Sequence, residues 1–124
     1  DYEEVYDYRN IEVTIDEQDI FNVTMNESLA VALLTNLLKN AFVHNIDGGH
    51  IRITVTKNSI TFRNSGVENP LDKEHIFERF YQGTKKEGST GLGLAIADSI
   101  CRLQHLSIRY YFEQKEHCFE ISRQ

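Results

Sequence analysis

"FYQGTKKEGSTGLGLAIADSI", residues 80–100, decides how the rest of the chain is read. Its first half is polar and glycine-rich, and its second half is apolar. Two phosphate-binding patterns nearly fit. Gly83 and Gly88 stand at P-loop spacing, but Ser89 and Thr90 follow directly, and the lysine that reaches the outer phosphates is missing. Gly91 and Gly93 begin a dinucleotide fingerprint, but Ile96 takes the place of its third glycine, and no strand pattern leads in. Apolar spacing predicts a helix over 92–104. A polar loop, 81–91, thus runs into glycines at a helix start. Such a start offers unpaired N–H groups and the positive end of the helix dipole to an anion.

Working outward, "DKEHIFERF" at 72–80 predicts a short helical turn, after a loop holding the sole proline, Pro70. "HIRITVTKNSITFRN", 50–64, alternates as two strands joined at Lys57 and Asn58. "NESLAVALLTNLLKNAFVHN", 26–45, is the strongest helix pattern. Asn26 is its expected N-cap, with Ser28 as the alternative, and "IDGG", 46–49, is its expected glycine stop. "RNIEVTI", 9–15, predicts a strand, and "IFNVTM", 20–25, a short edge strand. "LSIRYYFEQ" and "HCFEIS" predict a closing hairpin. Hairpins mixed with helices indicate a two-layer α/β sandwich, with a mixed sheet of about five strands on about three helices.

Composition narrows the function. At 124 residues the chain has the size of one domain, so 1–124 is expected to be a single domain. With 40% hydrophobic and 26% charged residues it can build a core. A net charge of -6 argues against a nucleic-acid surface, which needs a basic stripe. No apolar run approaches the about 20 residues of a membrane helix. Cys101 and Cys118 lack metal spacing and are expected to be reduced thiols. The start on Asp1 without a methionine suggests a domain excised from something longer.

On the long helix Ala30, Val31, Leu33, Leu34, Leu37, Leu38 and Ala41 form one broad apolar arc, the expected buried face. Asn36, Asn40 and His44 run along its border at i, i+4 and i+8. Asparagine is a poor helix former, because its side chain competes for backbone groups. The stripe reads either as a solvated edge or as a metal and phosphate platform. An Asn carbonyl is a hard oxygen ligand suited to Mg²⁺.

Four stretches together resemble the ATP-binding catalytic domain of sensor histidine kinases, with the Bergerat fold shared by Hsp90-type chaperones and type II topoisomerases. "TNLLKNAFVHN", 35–45, resembles the family's N box, and "ITFRNSG", 60–66, its G1 box. "IFERFYQG", 76–83, resembles the F box, and "STGLGLAIADSIC", 89–101, the G2 box. They occur in the family's order and span nearly the whole chain.

The resemblance implies that residues 81–91 form a lid over MgATP, with Asn40 as Mg²⁺ ligand and catalytic residue. Asn36 would support the phosphates, and His44 would lie near the nucleotide. Asn64 would accept from the adenine amino group, and Gly66 would let the chain turn beside the base. Thr90, Gly91, Leu92, Gly93 and Leu94 would line the nucleotide. Lys85 and Lys86 are either phosphate contacts or solvated lid charges; Arg79 is either a phosphate contact or a structural ion pair. Phe77 and Phe80 would pack the lid base. Three departures stand out: Asn64 for the usual Asp, Glu68 for a second glycine, and Val43 where a basic residue is common. Weakened nucleotide affinity is expected from them. The phosphoryl acceptor would be a histidine on a separate dimerisation domain, because none of the five histidines opens an acceptor-type segment. A response regulator would follow downstream, and the domain would lie in the cytoplasm without touching the membrane. The rivals are a nucleotide-sensing pseudokinase, an anti-sigma-factor type serine kinase, an ATPase clamp and a purely structural domain. "IFERF" speaks against the anti-sigma type. Lys39 stands where the ATPases place a glutamate base, and it is unsuited to that role.

Overall fold

A computed structural model describes residues 10–81 and 91–124. Its elements in chain order are β1 (Glu12–Glu17), α1 (Glu27–Val43), β2 (His50–Val55), β3 (Ser59–Asn64), α2 (Gly93–Leu103), β4 (Leu106–Glu113) and β5 (Glu116–Arg123). The strands form one sheet in the order β1-β2-β3-β5-β4. β1 and β2 pair in parallel, and every other pair is antiparallel. A parallel pair needs a crossover, and α1 supplies it. The mixed two-layer sandwich is therefore as expected. Two helices occur among the described residues, and 72–80 is a run of turns pinned by Asp72. That carboxylate accepts from the Glu74 N–H at 3.0 Å and lies 2.6 Å from His75 Nδ1.

α1 starts as the sequence predicts: Asn26 is extended, and its Oδ1 accepts from the Leu29 N–H at 3.1 Å. It does not stop on glycine. The helix ends at Val43, and Gly48, with φ 74°, comes only after the chain has turned away. Fully buried Asn45 organises the exit. Its Nδ2 donates to Ala41 O at 3.1 Å and His50 O at 3.0 Å, while its Oδ1 accepts from the Ile46 N–H at 2.9 Å and Ser65 Oγ at 2.6 Å. One side chain thus joins the end of α1 to the start of β2 and the end of β3.

The buried stripe of α1 is narrower than predicted. Leu33, Leu37 and Ala41 are buried, but Val31 and Leu34 remain 59% and 41% exposed. The helix packs on α2 and β3, and the flank carrying Val31 and Leu34 turns away from both. Leu33 and Leu37 meet Phe62, Ala97, Ile100, Tyr110, Phe119 and Ile121 in the main core. Ala41, Phe42 and Ile51 form a second cluster near β1.

The expected edge strand at 20–25 does not form. After Glu17 the chain leaves the sheet where β2 ends, with the N–H groups of Gln18 and Asp19 both donating to Val55 O. No ladder is left to join. Arg123 holds the segment instead: its Nη2 donates to Asn22 O at 2.9 Å, and its guanidinium lies 4.7 Å from the Phe21 ring centre. The closing hairpin turns at Gln114 and Lys115, both with positive φ, as the twist of a two-residue hairpin turn requires. Cys101 and Cys118 are buried, and burial pushes both thiols up to about 11, so they stay protonated and unreactive.

Candidate functional site

A pocket opens between α1 and the start of α2. Asn36, Lys39, Asn40, Val43 and His44 line it from α1, and Gly91, Leu92, Gly93, Leu94 and Ile96 from the α2 side, with Ile76 and Tyr81 completing the wall. The stripe Asn36, Asn40, His44 is therefore the face of a cavity and not a plain solvated edge. The helical repeat alone puts these side chains in line.

Their roles differ. Asn36 Nδ2 donates to Ala32 O one turn back at 2.8 Å, which fixes the amide. A Cβ on Gly93 would stand 3.2 Å from Asn36 Oδ1, so this glycine admits the head of α2 against α1. Asn40 faces the pocket, and its amide makes no hydrogen bond among the described residues. The first turn of α2 holds no acidic residue to offset the positive end of its dipole. Lys39 is the one fully charged side chain among the described lining residues. The sequence reading treated it only as a failed base. Its position one residue from Asn40 was the available signal.

Gly91 lines the pocket and also meets protein backbone. Its φ is 75°, and a Cβ there would stand 2.7 Å from Phe80 Cα, so the close approach is to protein backbone. The Phe80 N–H donates to Gly91 O at 2.6 Å, tying 80 to 91. Phe80 does not pack the base of the loop: it is 65% exposed with φ 66°, under the Arg79 guanidinium at 5.4 Å. Among the described residues, Arg79 neither lines the pocket nor forms an ion pair. Phe77 does pack, edge-on to Phe119 at 6.3 Å. Thr90, Lys85, Lys86 and the body of the expected lid lie outside the described residues.

Asn64 and Gly66 do not line the pocket, and Gly66 lies against the His44 carbonyl. Asn64 is 2% exposed. Its Nδ2 donates to Ser65 O at 2.8 Å, and its Oδ1 has no partner among the described residues. A buried carbonyl oxygen without a donor is costly, on the order of 1–3 kcal/mol. Gly66 is required for contact and not for a turn: a Cβ there would meet His44 O at 2.8 Å and His117 Cδ2 at 3.2 Å. Across the pocket, Lys39 and an Asn40 amide with no hydrogen bond among the described residues face the start of α2, a set of groups that suits an anionic ligand with its metal.

The sequence model of the histidine kinase-, DNA gyrase B- and HSP90-like ATPases matches residues 25–122, and the chain belongs to that family. It is 36% identical over 109 residues to the heme sensor protein HssS of Staphylococcus aureus, covering 84% of this chain and 24% of that protein. It is 43% identical over 84 residues to the sensor histidine kinase RppB of Synechocystis, covering 60% of this chain and 18% of RppB. The chain thus spans a quarter or less of these relatives. The solved catalytic domain of histidine kinase ThkA superposes with a TM-score of 0.81 at 26% identity, covering 97% of this chain and 82% of that domain. Among the described residues no helix is long and apolar enough to cross a membrane.

Proposed function

We propose that this chain binds MgATP in the pocket between α1 and α2, as the catalytic domain of a sensor histidine kinase, and donates the γ-phosphoryl group to a histidine on a separate dimerisation domain. A response regulator is the next acceptor, and the domain works in the cytoplasm. The observation that carries the reading is the facing pair of walls: Asn36 and Asn40 on α1, and the first turn of α2, entered through Gly91 and Gly93, opposite them.

Asn40 is the metal ligand in this reading, and bound Mg²⁺ supplies charge neutralisation on the phosphates. Asn36, locked by its own helix, holds α2 at the right distance. The N–H groups at the head of α2 and the Lys39 ammonium receive the phosphate charge. Thr90, Lys85 and Lys86 belong to the loop that would close over it. Asn64 Oδ1 accepts from the base without charge assistance, which weakens affinity relative to a carboxylate. The chain contributes positioning and electrostatics and no side-chain nucleophile, as phosphoryl transfer requires.

Phosphoryl transfer from labelled ATP to a dimerisation domain of the parent protein, added in trans, tests the reading. Transfer that disappears in Asn40→Ala supports it. Nucleotide binding without transfer favours the nucleotide-sensing alternative, which the replacement of Asp by Asn64 motivates.

A further inference from the structure

A buried relay lies behind Asn64, built from two side chains that no motif singled out. His117 is 3% exposed and pairs with Asn64 across the ladder of β3 and β5. Its Nε2 is 2.6 Å from Val67 O, and its Nδ1 is 2.7 Å from the Tyr110 hydroxyl. A carbonyl only accepts, so Nε2 carries the proton, and Nδ1 accepts from the hydroxyl. The same hydroxyl oxygen accepts from the Leu71 N–H at 2.9 Å. One imidazole and one phenol therefore grip the segment 67–71 at both ends. The imidazole edge is also the floor under Gly66, whose roof is His44 O.

The segment so gripped continues from Asn64. The Asn64 amide cannot turn over, because Ser65 O needs a donor and Nδ2 provides it. Oδ1 is thereby left as a pure acceptor. Such an atom welcomes the exocyclic amino group of an aminopurine and opposes the 6-oxo oxygen of hypoxanthine, acceptor against acceptor.

We propose that His117 and Tyr110 are a positioning pair that holds residues 66–71 so that buried Asn64 Oδ1 is kept without a protein donor and is left for a 6-aminopurine. This rests on the nucleotide-binding reading above. The pair touches no ligand; it acts by fixing the path of the backbone beside the acceptor.

The test is calorimetric titration of the 124-residue chain with MgATP, MgITP and inorganic tripolyphosphate. His117→Ala, His117→Gln and Tyr110→Phe are compared with the wild type, and each is checked for folding by thermal melting. The wild type is expected to prefer ATP to ITP by roughly tenfold or more, the effect of leaving a buried acceptor unpaired. Tyr110→Phe and His117→Ala lower that ratio toward one and leave tripolyphosphate binding unchanged. His117→Gln, which keeps a donor toward Val67 O, recovers part of the ratio. A general loss of structure would instead weaken all three ligands together. If His117→Ala does not fold, Tyr110→Phe decides alone. Folded variants that keep the wild-type ratio overturn the positioning role while leaving nucleotide binding intact. A wild type that binds ATP and ITP equally overturns it as well. A wild type that binds neither overturns the nucleotide-binding reading and this inference with it.

Discussion

The α1 side of the site and the 64–71 side are held over very different sequence distances. On α1, Asn36, Asn40 and His44 reach the pocket because one helix repeats, and Asn36 is fixed by its own Ala32 carbonyl. On the other side, Val67 and Leu71 are held by His117 and Tyr110, residues of the closing hairpin. The first arrangement is local and depends on helix formation. The second exists only once the last two strands have docked. A molecule built this way can lose the geometry of one side while keeping that of the other.

Asn45 is the point where the two sides meet, so its removal is expected to have the largest effect. Asn45→Ala removes the side-chain partner of Ala41 O and the Ile46 N–H, and one of the partners of His50 O and Ser65 Oγ. About 3 kcal/mol of stability should be lost in urea denaturation. A cost below about 1 kcal/mol would mean that the two sides are joined elsewhere. Lys39→Ala tests the helical side alone. MgATP should bind about tenfold more weakly, with a flatter salt dependence, because one charge-assisted contact is gone. Unchanged affinity and salt dependence would remove Lys39 from the phosphate end.

Acid titration tests the other side. Burial holds His117 below the ordinary imidazole range, against the opposing pull of its bond to Val67 O. The unfolded chain therefore takes up this proton first as pH falls below about 6.5. Stability from neutral His117 is present above that value and is lost as pH drops toward the folded pKa. Tyr110 is the titratable side chain in contact with the ring, and it stays a neutral phenol there, its own pKa raised by burial. Exposed His75 works in the opposite sense, because Asp72 raises its pKa. The difference between wild type and His117→Gln isolates the buried group: the variant should lose less stability between pH 7 and 5. Parallel curves would show that His117 does not titrate with folding. The smallest effect is expected at Leu34→Gln. This residue lies on the uncovered flank of α1, and its substitution should change stability by less than about 0.5 kcal/mol. A larger loss would mean that the flank is covered in solution.

The same contrast explains which features were legible in the sequence. The α1 stripe, the Asn26 cap and the start of α2 are local, and periodicity and capping chemistry expose them. Val31 and Leu34 looked buried because an apolar arc says which side of a helix is oily, not how wide its neighbours are. The glycine stop failed because Asn45 found partners across 20 residues, and the edge strand failed because β2 had already ended. His117 and Tyr110 gave no local signal: a histidine and a tyrosine in a hairpin look like any strand residues. At Gly66 and Gly91 protein backbone or ring atoms fill the space that a Cβ would occupy, a constraint that only the folded chain displays.

The most direct test of the account is calorimetric titration of the chain with a non-hydrolysable ATP analogue, with and without Mg²⁺, for wild type and Asn40→Ala. Magnesium-dependent binding that the variant loses is expected, with both proteins melting at nearly the same temperature. Binding that is indifferent to both magnesium and Asn40 would contradict it.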